Sequence, residues 1–154
     1  MEKFLEAVAL IGEKPLTTSV GKVVKITGDT CEVEREHLPK LLDVRLNAVV
    51  GSFESSFVIY PKISSEVLVA AVEKNPQETA IVKYTEIDKV AIKIDAFEFD
   101  VDKQGLTVKN KGESFKTIVN DLIDELNKIL VIQGNTINVP AMNAIKERFN
   151  KVLK

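Results

Sequence analysis

The chain has 154 residues, with 21 Lys and Arg against 23 Asp and Glu, for a formal charge of −2. Apolar residues make up 45% and charged residues 29%, the balance of a folded globular chain with material for a core rather than of a disordered one. No run of about 18 apolar residues is present, so no membrane-spanning helix is expected.

The opening residues carry Glu2 and Glu6 where a signal peptide needs a basic start, and Ala7 to Ile11 is short for its apolar region. Secretion by the standard route is therefore not expected. Phe4, Leu5, Val8 and Ile11 share one side of a short amphipathic helix, stopped by Gly12 and Pro15. Residues 1–15 are read as this N-terminal helix or arm.

From Val20 the apolar period changes to two. Val20–Ile26 forms a first strand, Gly28-Asp29 a turn, and Cys31 and Val33 alternate with polar residues in a second strand. Leu42, Val44 and Leu46 mark a third strand, Phe57–Tyr60 a fourth ending at Pro61, and Val67–Val72 a fifth. Asn75-Pro76-Gln77-Glu78 is read as a turn and Thr79–Tyr84 as the returning strand. Short strands in close succession point to a small closed barrel of five to six strands over residues 16–88, since closure leaves few exposed edges.

Val90, Ile92 and Ile94 alternate, then the phase slips by one at Asp95-Ala96 before Phe97, Phe99 and Val101. The slip predicts a tight turn between two strands, because otherwise the apolar set would change faces. Asp102-Lys103-Gln104-Gly105 turns into a third strand at Leu106 and Val108. Residues 89–111 thus form a β-meander. Its Phe97/Phe99 face has no obvious cover nearby in the chain, which points to another subunit.

After Gly112 the period becomes helical. Phe115, Val119, Leu122, Leu126 and Ile129 step by four and three as a heptad seam, widened by Ile118, Ile123 and Leu130. Ser114 is the expected N-cap and Gly134 follows the end, giving a helix of about 17 residues. Pro140 opens a second helix of about 14 residues carrying Met142, Ile145, Phe149 and Val152. Residues 112–154 are read as a helical hairpin. Its seam either packs within the chain or also joins identical chains as a twofold or threefold bundle.

The chemistry-bearing residues assemble into no catalytic pattern. Cys31 is the single cysteine and His37 the single histidine, so an internal disulfide and a multi-cysteine metal site are excluded. Asp100-x-Asp102-x-x-Gly105 matches half of a calcium loop, but its twelfth position is Lys111 rather than a bidentate acid. Gly51-Ser52-Phe53-Glu54 lacks the glycine spacing and lysine of a phosphate loop. Asp121, Asp124 and Glu125 sit on the polar side of a helix, and Glu32 and Glu34 opposite Cys31 and Val33 on a strand. No catalytic residue, no cofactor and no metal is therefore assigned, and the chain is read as a non-enzyme.

Gly21-Lys22-Val23-Val24-Lys25-Ile26 through Cys31-Glu32-Val33-Glu34 resembles the opening hairpin of the OB domain in phage baseplate proteins. Asp43-Val44-Arg45-Leu46 resembles the strand that follows in Bacteroides-type prophage members. Ile59-Tyr60-Pro61 through Glu66-Val67-Leu68-Val69-Ala70 is similar to the family signature P-x-x-G-x-E-V-L-V-x-F, and Asn75–Val82 to the strand after it. Ser64 and Ser65 stand where that family has a turn glycine. These are traits of contractile-tail spike and hub proteins, including phage tail spikes and type VI secretion tip proteins.

The resemblance spans about residues 16–88, and more loosely the rest. It implies an OB-like barrel and a non-enzymatic structural role in a phage-like tail baseplate. It also implies a homo-oligomer, a trimer on the tail axis, with other tail or baseplate proteins as partners. Such a protein is made in the bacterial cytoplasm and assembled into a virion or phage-like tail, without inserting into a membrane. The lysozyme domain and long needle of the large relatives are not expected in so short a chain. The oligomer interface is expected at Phe97, Phe99, Phe115, Val119, Leu122, Leu126 and Ile129.

The alternative is an OB-fold module for single-stranded nucleic acid, with Phe53, Phe57, Tyr60 and Tyr84 as stacking rings. Residues 17–88 hold 8 basic and 11 acidic side chains, against the basic groove that role needs.

Overall fold

The computed structural model describes residues 17–73, 75–129, 134 and 136–154. The helix expected at Met1–Ile11 lies outside them. In chain order the strands are β1 (Thr18–Thr27), β2 (Thr30–Arg35), β3 (Leu38–Arg45), β4 (Ser55–Pro61) and β5 (Glu66–Val72). There follow β6 (Asn75–Tyr84), β7 (Ile87–Ile94), β8 (Phe97–Asp102), β9 (Gly105–Asn110) and the short β10 (Glu113–Ser114). Two helices complete the chain, α1 (Phe115–Asn127) and α2 (Val139–Val152). The protein is mainly β with C-terminal helices, and it divides into two compact units.

The first unit takes the residues up to Gly51 together with Pro61–Glu86. Its strands close into a barrel in the order β1-β2-β3-β6-β5. Neighbours are antiparallel except β3 and β6, which run parallel at Arg45 and Ala80. This is the five-stranded closure of an OB-like barrel. Val23, Cys31, Val33, Val44, Val67 and Val69 fill its interior, all essentially inaccessible. Burying each such side chain contributes roughly 1.5–3 kcal/mol relative to leaving it in water.

Bulges explain where the period of two breaks. Val23 pairs Val33 and Ile26 pairs Cys31, so β1 carries one residue more than β2 between these pairs. The extra residue lets both apolar pairs face inward. Likewise Val44 pairs Cys31 while Leu41 pairs Val33. Leu41 thereby takes the inner place that alternation predicts for Leu42, and Leu42 is left 61% exposed. At Gly21 a Cβ would stand 2.6 Å from both the Glu34 carbonyl oxygen and Val33 Cγ1. Only glycine allows β1 so close to β2.

Two expectations are corrected. Phe57–Tyr60 was expected among the barrel strands, but β4 lies at the edge of the second sheet, beside β7. Alternation identifies a strand without identifying its partner, and here the chain leaves the barrel after Gly51 and returns at Pro61. Pro61 is fully buried in the first unit and cannot donate a ladder hydrogen bond. The turn expected at Asn75–Glu78 comes earlier. Val72 already pairs Asn75, and Glu73 takes the left-handed conformation at φ 51°.

The second unit takes Ser52–Tyr60 and Ile87–Lys154, with a sheet ordered β10-β9-β8-β7-β4. The slip at Asp95-Ala96 is a two-residue turn, closing the pair Ile94–Phe97, with Asp95 at φ 51°. Asp102 pairs Gly105 across the next turn, where Asp102 Oδ1 accepts from the Gln104 N–H at 2.7 Å. The outer edge of β9 is covered at both ends. β10 pairs Lys109 and Asn110, while Leu153 bridges Leu106 and the Lys154 N–H donates to the Leu106 carbonyl at 2.9 Å. Covering the edge removes a template for unwanted strand pairing.

Candidate assembly surface

α1 begins at Ser114, whose extended backbone makes it the N-cap, although its side chain makes no capping hydrogen bond. The helix ends at Asn127, shorter than the 17 residues expected, with Lys128 as its C-cap. α2 is capped by Asn138, whose Oδ1 accepts from the Ala141 N–H at 3.0 Å, and Pro140 sits in its first turn. The cap satisfies one free backbone donor at the helix start, and proline there has no N–H that needs a partner.

The two helices run antiparallel, and polar side chains link them. Asn120 Nδ2 donates to Asn150 Oδ1 at 3.2 Å, Lys146 Nζ donates to Asp124 Oδ1 at 2.7 Å, and Asn127 Nδ2 donates to Asn143 Oδ1 at 3.1 Å. Asn120 and Asn127 are one heptad apart, as are Asn143 and Asn150, so the polar rungs keep one register. Ile123, 4% exposed, is the buried apolar residue of α1. Asn120 Oδ1 and Asn127 Oδ1 are buried without a partner among the described residues. Such a buried acceptor costs about 1–3 kcal/mol.

With polar rungs between the helices, the apolar stripes lie elsewhere. Phe115, Ile118, Leu122 and Ile129 of α1 and its C-terminal end are exposed, Leu122 at 58%. Ile145, Phe149 and Val152 of α2 are exposed as well, Val152 at 59%. At about 100° per residue the α1 stripe lies roughly 130–170° from its asparagines and the α2 stripe roughly 110–170° from its own, so both stripes sit toward the outer flanks of the hairpin. Because the helices are antiparallel, both stripes also lean to the same side of the hairpin. Phe115, Ile145, Phe149, Val152, Leu106 and Leu153 accordingly line one apolar hollow of about 590 Å³, with Arg148 at its rim. Covering the exposed half of Phe115, Ile145, Phe149 and Val152 would contribute roughly 3–6 kcal/mol before ordering costs.

Of the residues expected at an interface, Phe115, Leu122 and Ile129 are exposed, while Val119 and Leu126 are half-buried. Phe97 and Phe99 lie half-buried on β8, paired with Ile94 and Asn110, and with Ile92 and Val108. By register they share the sheet face of Leu106, the residue at which the strand face meets the hollow. The Asn120/Asn127/Asn143/Asn150 set is absent from the sequence reading. Its signal is asparagine at heptad spacing in both helices, and apolar spacing alone does not reveal the packing face that it sets.

The residues weighed for chemistry are dispersed. Asp100 pairs with Lys89 at 2.9 Å, and Lys89 also lies over the Tyr60 ring at 5.8 Å. Asp102 pairs with Lys154, which with the Gln104 N–H holds its carboxyl below the ordinary aspartate range. Cys31 is buried in the barrel, and desolvation pushes its thiol up to about 11. His37 occupies the β2–β3 turn in a left-handed conformation. Among the described residues no three His, Cys, Asp or Glu are grouped to hold a metal. Of the rings considered for stacking, Phe53, Phe57 and Tyr60 belong to the second unit, and only Tyr84 to the barrel. No described helix is long and apolar enough to cross a membrane.

The class these observations define is a mainly β protein with a closed five-stranded OB-like barrel and a C-terminal helical hairpin. No protein-family model, curated protein or solved structure matches the chain.

Proposed function

We propose that the protein is a non-enzymatic structural component of a phage-like contractile tail, at the baseplate hub or spike, and that it works by self-assembly as a trimer. The observation that carries the assembly part is the hairpin itself, closed internally by Asn120–Asn150 and Asn127–Asn143 and exposing apolar stripes on its outer flanks. A hairpin stable alone buries its apolar seam between its helices; this one keeps the seam for a neighbour. The barrel then docks other tail proteins. The placement in a tail is supported by the resemblance of the β1–β2 hairpin and of Ile59–Ala70 to the OB domains of baseplate spikes.

Leu122→Asp tests the assembly part, because Leu122 is exposed in the single chain. The variant is expected to keep its helical circular dichroism and lose its oligomeric mass. Retained mass overturns trimeric assembly through this face. Immunogold electron microscopy of contractile tails carrying a tagged copy tests the placement. Label at the baseplate end supports it, and particles without label overturn it.

A further inference from the structure

Each outer apolar flank of the hairpin adjoins charges, acidic on α1 and basic on α2. On α1 the side chains beyond the stripe, away from α2, are Glu125 and Asp121. On α2 the corresponding side chains are Arg148, next to the stripe, and Lys151, about a quarter of a turn from the asparagines. Asp121, Arg148 and Lys151 have no ion-pair partner among the described residues, and Glu125 has only the neighbouring Lys128. The charges used inside the hairpin are different ones, Asp124 and Lys146.

We propose that the occupant of the apolar face is a second copy of this chain, seated head to tail, so that the α1 edge of one copy lies against the α2 edge of the next. This rests on the self-assembly proposed above and adds the identity of the contacting surfaces. Two α1 edges brought together would oppose acids to acids, and two α2 edges bases to bases. Only α1 against α2 matches Asp121 and Glu125 with Arg148 and Lys151. A contact between two different surfaces repeats around a ring, and closes when the rotation completes a turn. With the stripes on the outer flanks beside these charges, closure seats the α1 stripe of each copy against the α2 stripe of the next, with the charges bordering the seam.

Charge reversal reads the pairing directly. Asp121→Lys with Glu125→Lys sets bases against bases, and Arg148→Glu with Lys151→Glu sets acids against acids. Each double variant is expected to lose at least about tenfold in association constant by sedimentation equilibrium at low salt, with unchanged circular dichroism. The quadruple variant, carrying all four substitutions, restores opposite charges at every α1–α2 seam and is expected to regain the oligomer. In a like-to-like contact the quadruple variant would still oppose equal charges. Double variants that keep wild-type association, or a quadruple variant no better than the doubles, overturn the head-to-tail arrangement while leaving self-assembly standing. A wild-type chain that stays monomeric throughout overturns self-assembly, and this inference with it.

Discussion

Asn120 donates through Nδ2 to Asn150 Oδ1 at 3.2 Å, while its own Oδ1 is buried and accepts nothing among the described residues. The pair joins two helices whose apolar stripes point elsewhere, so the hairpin is specified by polar matching and is poorly stabilised by burial. Buried asparagine in a helical interface is a known means of fixing register at a cost in stability.

Removing Asn150 strands the Nδ2 donor of the half-buried Asn120, whereas Asn150 itself is exposed to water. Asn150→Ala is therefore expected to lower stability by about 1 kcal/mol in urea unfolding, whereas Asn120→Leu with Asn150→Leu is expected to recover it or exceed wild type. A double variant less stable than the single one would show that the asparagines contribute net stability.

Gly105 holds the C-terminal end of the chain close to β9. It has φ +137°, and an added Cβ would stand 2.5 Å from the Val152 carbonyl oxygen, a backbone atom that cannot swing aside. Gly105→Ala is expected to cost about 1–3 kcal/mol and to release the Leu153–Leu106 bridge. Faster hydrogen exchange at the Lys154 N–H, which donates to Leu106, checks it.

The Asp102–Lys154 pair makes that contact acid-sensitive. Folding lowers the Asp102 pKa, so its contribution is fully present above the unfolded-state value and is lost as pH falls through the folded one. Wild type is thus expected to exceed Asp102→Asn in stability at pH 7, with the difference shrinking steadily below about pH 4. Urea unfolding of both chains across this range checks it, and a difference independent of pH would contradict it.

Cys31 is inert while the barrel is closed. Its thiol is buried and raised to about 11 by desolvation, so little thiolate exists near neutral pH. Labelling by a thiol reagent at pH 8 is expected to be slower by about three orders of magnitude than in denaturant, since reaction requires opening of the core.

Much of the fold was legible because the chain states its periods plainly. Cys31 and Val33 alternate with acids and are core; the phase slip at Asp95-Ala96 is the turn it implied. Alternation does not reveal a partner, and so the sheet of β4 was hidden. It also breaks at bulges, and therefore Leu41 and not Leu42 faces inward. Ser64 stands at φ 71°, a conformation better suited to glycine, in a turn whose N–H donates to the Val23 carbonyl at 2.8 Å. For the assembly surface, Phe115, Leu122 and Ile129 were read from spacing as a packing seam, and they are exposed. Spacing gives the stripe, but the asparagines at the same heptad interval decide which side the second helix takes.

The most direct measurement is absolute mass by light scattering on a sizing column, followed through dilution. Self-assembly predicts a species near three times the 17.1 kDa of the chain, stable to dilution. A species at the mass of one chain at every concentration would contradict it.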